Sequence, residues 1–499
     1  MSAKKTWIIT SVLAVVLLFF SFGAPAIFAN GAVDEVPDGN TNKPAADKNM
    51  KNLQNVYKFL QEYYVDEIDS NVLYKGAMEG MLNSLDDPYT LYVETDSRLG
   101  IDLEDTTKGT FGGIGVTITK PAVSKPEKPA YVEVMSPIDG TPGSKAGLRS
   151  GDYITEINSE PTDEMTMDKV LSVLRGKVGT PVTIRVLRGK NLNFELTIVR
   201  AKIEIPTVKY TMLPNKIGYI KLIQFNPNSM PRITDAFTEL QSKGCKKLVF
   251  DLRNNPGGLI TSAVDVASLF LDKGIVVSTK SRIASENREF SVNKYVAKIP
   301  KKTPVVILIN GGSASASEIV AGALKDHKRA YLVGKTTFGK GSVQMIYNLN
   351  KEEGFKMTIA KYYTPSDANI NKIGIPPDYE VDVPTVGEAE EDYVIELYES
   401  KKLEEFSKNN ANSNITKADI HNFAKVLQKD YPINLPILEI LIKTEVDRYR
   451  QNDIVDIDFD VQLKAAVELL MTKNVNKLSK STKTVAELQK TAEQEKESK

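Results

Sequence analysis

The run Val305 to Ile309, five apolar residues in a row, is followed by the tight turn Asn310-Gly311-Gly312 and then by a small, apolar helical pattern from Glu318 to Lys325. Strand-like runs recur at Ile217 to Ile223, Leu248 to Leu252 and Ala330 to Val333, alternating with helical patterns. Alternation of this kind requires a sheet with helices packed on it, so residues 210–381 read as an α/β core. The 499-residue chain is long enough for two or three domains. Gly109 to Lys202, with short alternating segments between Gly, Pro and Asp turns, reads as a small β-rich module.

The flanks are helical. From Leu53 to Leu82 apolar residues return at helical spacing, predicting two helices, and the chain after Asp382 is helical and strongly charged. The stretch 477–499 is almost wholly polar and is expected to be disordered or a solvated helix. The apolar face of Pro432 to Tyr449 could pair between subunits or pack on its own core.

Residues 1–29 combine Lys4 and Lys5, an apolar stretch from Trp7 to Phe22, and small residues around Ala24-Pro25-Ala26. This is the pattern of an export signal, cleaved or retained as a single N-terminal anchor, which places the rest of the chain outside the cytoplasm. Residues 30–52, poor in apolar side chains, read as a linker.

Several chemistries are excluded early. The 64 basic and 64 acidic residues balance, leaving no excess positive charge for nucleic acid. One cysteine, Cys245, allows no intramolecular disulfide and reads as a buried, inert thiol. With only His327 and His421, a three-histidine zinc site is impossible, and any Ser-His mechanism must use one of them.

The segment "NGGSASASEIVAGAL" places Ser313, Ser315 and Ser317 at a helix N-terminus, where unpaired amides favour a developing negative charge. Taken alone, Ser315 or Ser317 could equally be a helix cap. A second segment, "VGKTTFGKGSVQ", brackets Lys340 with glycines. A lysine taken out of water loses its charge more readily and can then act as a base. A third, "DLRNNPGG", follows a buried-looking strand, and its glycines can bring backbone N–H groups close to a substrate carbonyl.

These motifs, in this order and together with "YYTPSDANINKIGIPPD", resemble the carboxy-terminal processing (tail-specific) peptidases, Ser-Lys enzymes with an internal PDZ domain. The likeness runs from Leu53 to Val383. It implies a multidomain α/β protein: a protease core of crotonase-like ββα repeats, an inserted PDZ β-sandwich or barrel, and helical N- and C-terminal extensions. On that plan residues 53–105 are helical, 106–203 the PDZ domain, 204–383 the peptidase core and 384–476 a C-terminal helical region. The resemblance makes Ser315 the nucleophile, Lys340 its base and Gln344 the residue that holds the lysine. Ala316 and a glycine of Gly257-Gly258 would form the oxyanion hole, and no cofactor is implied. Ser313 and Ser317 are then turn and cap residues, and His327 a surface residue. Asp367 stands where the family carries Gly, and Asp tolerates a left-handed backbone well enough to keep that turn.

"GGIGV", comprising Gly112, Gly113, Ile114, Gly115 and Val116, resembles the carboxylate-binding loop of a PDZ domain, with helix Met167 to Leu174 as the other wall of the groove. Val170 and Leu174 are its candidate pocket residues, and Arg175 resembles an arginine that couples PDZ domain and protease core in some relatives. The expected partners are protein or peptide substrates with free C-termini, a second copy of the chain through the terminal helices, and the membrane through an uncleaved N-terminal segment. The rival readings are a non-catalytic peptide- or ligand-binding protein on the same core and an inert PDZ scaffold.

Overall fold

The computed structural model describes residues 43–94, 109–120, 130–138, 140–149, 151–189, 192–204, 207–296, 299–350, 353–410, 415–448 and 454–497. The export segment and residues 30–42 of the linker lie outside these. Among the described residues no helix is long and apolar enough to cross a membrane. Contacts divide the chain into two units: one holds 207–341 and the chain from Lys361 onward, the other the N-terminal part through residue 204 together with Ser342–Ala360.

The N-terminal unit begins with α1 (Lys43–Tyr63) and α2 (Ser70–Asn83), the latter capped by Asp69, whose side chain accepts from Asn71 N. The expected linker therefore ends earlier: residues 43–52 already belong to α1, where Asp47, Lys48, Met50 and Lys51 lie on an exposed helical surface. Strand β1 (Leu91–Glu94) follows, and β2 (Thr110–Gly113) opens the β-rich module. Its sheet uses β3 (Val116–Thr119), β4 (Val132–Pro137), β5 (Tyr153–Ile157), β6 (Pro181–Arg188) and β7 (Leu192–Val199) in the antiparallel order β3-β4-β5-β6-β7. Helix α3 (Met167–Leu174) packs on it, closing a core of Ile114, Val132, Val134, Ile154, Ile184 and Val186. β8 (Ala201–Glu204) pairs with β2. Among the described residues β3 pairs only with β4, which makes it the edge strand of the sheet.

The other unit is built on β9 (Val208–Leu213), β10 (Ile217–Leu222), α4 (Ser229–Ser242), β11 (Lys247–Asp251), α5 (Ile260–Phe270), β12 (Ile275–Lys280), β13 (Arg288–Ser291), β14 (Val305–Ile309), α6 (Ala316–Asp326) and β15 (Tyr331–Gly334). The hairpin β16 (Ser342–Asn348) and β17 (Glu353–Tyr363) comes next, then β18 (Tyr379–Glu380). The sheet order is β9-β10-β11-β14-β15-β18, parallel except for the β9/β10 pair. The expected core 204–383 is thus interrupted, because most of the hairpin, residues 342–360, groups with the N-terminal unit. There β1 pairs with the start of β17.

Among the described residues seven helices follow: α7 (Glu391–Glu399), α8 (Lys402–Asn409), α9 (Lys417–Leu427), α10 (Leu435–Arg448), α11 (Val461–Thr472), α12 (Val475–Ser481) and α13 (Val485–Glu497). Alternation along the strands turns Tyr219, Val249, Val306, Leu308 and Val333 to one face of the sheet, and α11 and α12 cover it with Leu463, Val467, Leu470 and Val475. The apolar face of α10 is buried against α7, α8 and α9 through Ile437, Leu438, Ile442 and Val446, so it packs within its own chain.

The polar tail is helical, one of the two states expected of it, but it is docked on the core and not free in solvent. Asn474 accepts from Lys477 N to start α12, and Thr484 and Glu487 form reciprocal caps for α13. Val485 N then donates to Asp326 Oδ1 at 2.8 Å, and Gln489 Nε2 to Asn369 O at 2.7 Å, docking the tail on the core.

Candidate active site

Strands β11, β14 and β15 are parallel neighbours, so the loops leaving their carboxyl ends emerge side by side. These loops are 252–259, 310–315 and 335–341, which carry the glycines, the serines and Lys340. Topology alone therefore gathers three motifs that are far apart in sequence.

Side chains lock the first two loops together. Asn254 and Asn310 exchange hydrogen bonds: Asn310 Nδ2 donates to Asn254 Oδ1 at 2.9 Å, and Asn254 N to Asn310 Oδ1 at 3.0 Å. Ser313 Oγ donates to Leu252 O and Ser317 Oγ to Asn255 O. Ser313 shapes its turn as expected, also accepting from Asn310 N. Ser317, expected as a cap, instead ties the helix start to the glycine loop. On the far side, Arg253 bridges the buried Asp251 and Asp460, which caps α11.

Ser315 stands at the junction of turn and helix, with φ 55° and ψ −111°. Such a backbone is strained for a residue with a Cβ, costing on the order of 1–3 kcal/mol, and persists where the surroundings over-determine it. Its side chain is 0% exposed, and its Oγ has no hydrogen-bond partner among the described residues. The amide of Ala316 opens the helix beside it. Gly257 is packed so closely that a Cβ there would lie 2.9 Å from Ser315 Cβ and 3.0 Å from Ala316 N. Gly257 N already donates to Asn255 Oδ1 at 2.9 Å. Of the two glycines, Gly258 is the one whose amide has no acceptor among the described residues.

Lys340 is 3% exposed, between Gly339 in a left-handed conformation and Gly341. A residue that the sequence reading passed over links it to Ser315. The carboxylate of Glu318, wholly buried in the first turn of α6, accepts from Ser315 N and Lys340 N on Oε2 and from Gly339 N and Thr337 Oγ1 on Oε1. Burial pushes the Glu318 carboxyl above its ordinary value, against the pull of these donors. Its signal was present in the sequence as Ser-x-x-Glu, the capping-box spacing.

Gln344 belongs to the other unit. It is buried there, with Nε2 donating to Ser342 Oγ at 2.7 Å and to Thr358 Oγ1 at 3.3 Å. In the β-rich module, Gly112 and Gly113 pair with Lys202 and Ala201, and Ile114 is buried. Gly115 takes φ 75° under Thr141, and Val116 opens the edge strand β3. Val170 and Leu174, 0% and 4% exposed, belong to the hydrophobic core of the module rather than to an open pocket wall, since the α3 face they share is the one turned to the sheet. The Arg175 guanidinium lies over the Phe111 ring at 4.7 Å.

His327, expected at the surface, is half-buried at the end of α6, with Nε2 2.8 Å from Ile275 O. Cys245 is half-buried, and burial pushes its thiol up. Asp367 has φ 63°, the left-handed backbone expected of the position, and its carboxylate pairs with Lys280.

Peptidase family S41 matches residues 216–381, a PDZ domain matches 133–188, and the activating protease CtpB N-terminal domain matches 22–97. A carboxy-terminal-processing protease of Bartonella bacilliformis is 39% identical over 359 residues, covering 71% of this chain and 80% of that protein. The carboxy-terminal processing protease CtpA of Bacillus subtilis is 33% identical over 377 residues, 76% of each chain. Among solved structures, the photosystem II D1 C-terminal processing protease is 31% identical, covering 67% of this chain and 93% of that one, with a TM-score of 0.39.

Proposed function

The chain belongs to peptidase family S41, the carboxy-terminal processing proteases, as a serine-type peptidase with a PDZ domain, and from that premise we propose that it cleaves by a Ser-Lys dyad. Ser315 is the nucleophile and Lys340 the base. The resemblance assigns Gln344 to holding the lysine. The observation that carries this reading is the shared carboxylate of Glu318, which fixes the serine turn and the lysine loop to one another.

In the first half-reaction Ser315 Oγ attacks the scissile carbonyl carbon while its proton passes to the neutral amine of Lys340. The carbonyl oxygen becomes an oxyanion. The amides of Ala316 and Gly258 are the donors we assign to it, with Gly257 as the residue that lets the loop approach. Collapse breaks the C–N bond, and the lysine returns the proton to the leaving amine. Water then attacks the acyl-enzyme by the same route in reverse and frees Ser315.

The PDZ domain takes the free carboxylate of the substrate tail on the loop 112–116 while the extended peptide adds to β3. The substrates are envelope or signalling proteins, processed outside the cytoplasm by an enzyme exported through residues 1–29, secreted or anchored. We read the core as crotonase-like ββα repeats with helical extensions at both ends. A homodimer through those ends has α1 to use, where Val56, Phe59 and Tyr63 stand exposed, while the face of α10 is occupied within its own chain.

Casein zymography and cleavage of one apolar-ended peptide, as free acid and as amide, test this. Wild type should cleave, Ser315→Ala and Lys340→Ala should not, and the amide should be the poorer substrate. Near-normal turnover by a folded Lys340→Ala protein would exclude the dyad. A wild-type protein that binds peptides without cutting them would return the non-catalytic reading.

A further inference from the structure

Two hydroxyls meet at this site without completing a hydrogen bond. Ser315 Oγ and the phenol of Tyr362 are both buried, and neither has a partner of good geometry among the described residues. They are neighbours: burial pushes the Tyr362 phenol well above its ordinary value, and the adjacent Ser315 hydroxyl pulls it the other way. The phenol therefore keeps its proton and has it to donate.

A buried polar atom left unsatisfied costs about 1–3 kcal/mol. Phenylalanine would fill the same volume without that cost, so packing does not account for the hydroxyl. The backbone of Tyr362 is held independently of Ser315: its N donates to Gly341 O at 2.8 Å, next to Lys340, and it pairs in register with Thr279 of β12. The ring is thus presented to the serine by the sheet and by the loop that carries the base.

We propose that Tyr362 is a further catalytic residue, whose phenol donates a hydrogen bond to Ser315 Oγ while that oxygen carries negative charge. The inference rests on the reading of Ser315 as nucleophile and Lys340 as base. Charge collects on Oγ twice: as its proton leaves for the lysine before the C–O bond has formed, and again as that bond breaks in deacylation. A hydroxyl oxygen has lone pairs to spare after giving up its proton, and hydrogen bonds to an ionised acceptor are roughly twice as strong as neutral ones. The contact therefore strengthens where the barrier is. Tyr362 transfers no proton. The proton of Oγ passes to Lys340 and on to the leaving amine, and the phenol ends each cycle as it began.

The test is Tyr362→Phe in the full chain, with three readouts: melting temperature, the rate at which a fluorophosphonate probe labels Ser315, and kcat and KM on a peptide. The expected result is a melting temperature equal to or above that of wild type, an unchanged KM, and labelling and kcat both reduced roughly 10- to 100-fold. Wild-type labelling and turnover in Tyr362→Phe overturn the proposal and leave the nucleophile in place. Peptidase activity that survives Ser315→Ala, run in parallel, overturns the nucleophile and this proposal with it. If Tyr362→Phe fails to fold, 3,5-difluorotyrosine at position 362 keeps the ring and strengthens the donor, and a labelling rate unchanged from wild type then overturns the proposal.

Discussion

The backbone amides of Ser315 and Lys340 donate to the same oxygen, Oε2 of Glu318, at 2.9 and 2.8 Å. One buried carboxylate thereby sets the spacing of a turn and a loop that come from different strands. Glu318→Gln keeps the shape but replaces one oxygen with an NH2 group, which faces two donors with a third. Turnover should fall by roughly two orders of magnitude, with a lowered melting temperature, because a half-satisfied buried network is worse than none. Peptide cleavage and thermal denaturation measure both, and wild-type turnover in Glu318→Gln would mean the dyad is held by something else.

Strain at Ser315 leads to a comparison of two inactive variants. Ser315→Ala keeps a Cβ at φ 55°, whereas Ser315→Gly removes it. In ordinary backbone a glycine would be the less stable choice by roughly 0.5–1 kcal/mol. Here the order should reverse, with Ser315→Gly melting above Ser315→Ala. The same or lower melting temperature for the glycine variant would remove the argument that the nucleophile sits in a strained backbone.

Substitutions in the glycine loop should separate approach from folding. A Cβ on Gly258, at φ 146°, would lie 1.9 Å from Phe225 O, so Gly258→Ala should destabilise the core as well as abolish activity. A Cβ on Gly257, at φ 108°, presses instead on Ala314 O and Ser315. Gly257→Ala should therefore lose fluorophosphonate labelling of Ser315 with the smaller drop in melting temperature. Equal melting temperatures for the two variants would contradict this division.

Asp251 supplies a pH dependence. Burial alone would raise its carboxyl, but the guanidinium of Arg253, followed by the charge of Lys221 and the Tyr219 hydroxyl, holds it below its ordinary value. A carboxyl held lower in the folded than in the unfolded chain stabilises above the ordinary aspartate range, and that contribution is lost as pH falls through the folded value. Asp251→Asn should be less stable than wild type at neutral pH, and the gap should narrow as the solution is acidified. Breaking one partner of a buried pair costs about 3–5 kcal/mol, a difference that denaturant melts resolve easily. A gap that is constant with pH would show that the carboxylate is not the stabilising form.

The strands of the core could be read residue by residue because apolar runs such as Val305 to Ile309 and Leu248 to Phe250 have no other use, and the parallel order then brings their loops together. Glu318 and Tyr362 were harder to see. A glutamate in a first helical turn is ordinary as a cap, and only the fold brings Gly339 and Lys340 to the other side of it. Nothing local marks Tyr362 either, since a tyrosine in a strand is usually there for its ring. The docking of the tail was hidden for a related reason: "STKTVAELQK" is polar on average, yet Thr484 and Glu487 carry the cap and Val485 the buried contact. Average polarity hides a helix that docks through few residues.

Because α11 and α12 roof one face of the central sheet, and Asp460 at the head of α11 holds Arg253 beside the glycine loop, the order of synthesis matters. The residues assigned to the chemistry, Tyr362 included, all precede residue 363, about a hundred residues before that roof. While the ribosome is still making residues 363–475, Tyr219, Val249 and Leu308 have no cover, a delay of roughly 10 seconds at ordinary elongation rates. A nascent chain of this enzyme thus holds every residue of its chemistry before it has the surface that closes over the sheet behind it.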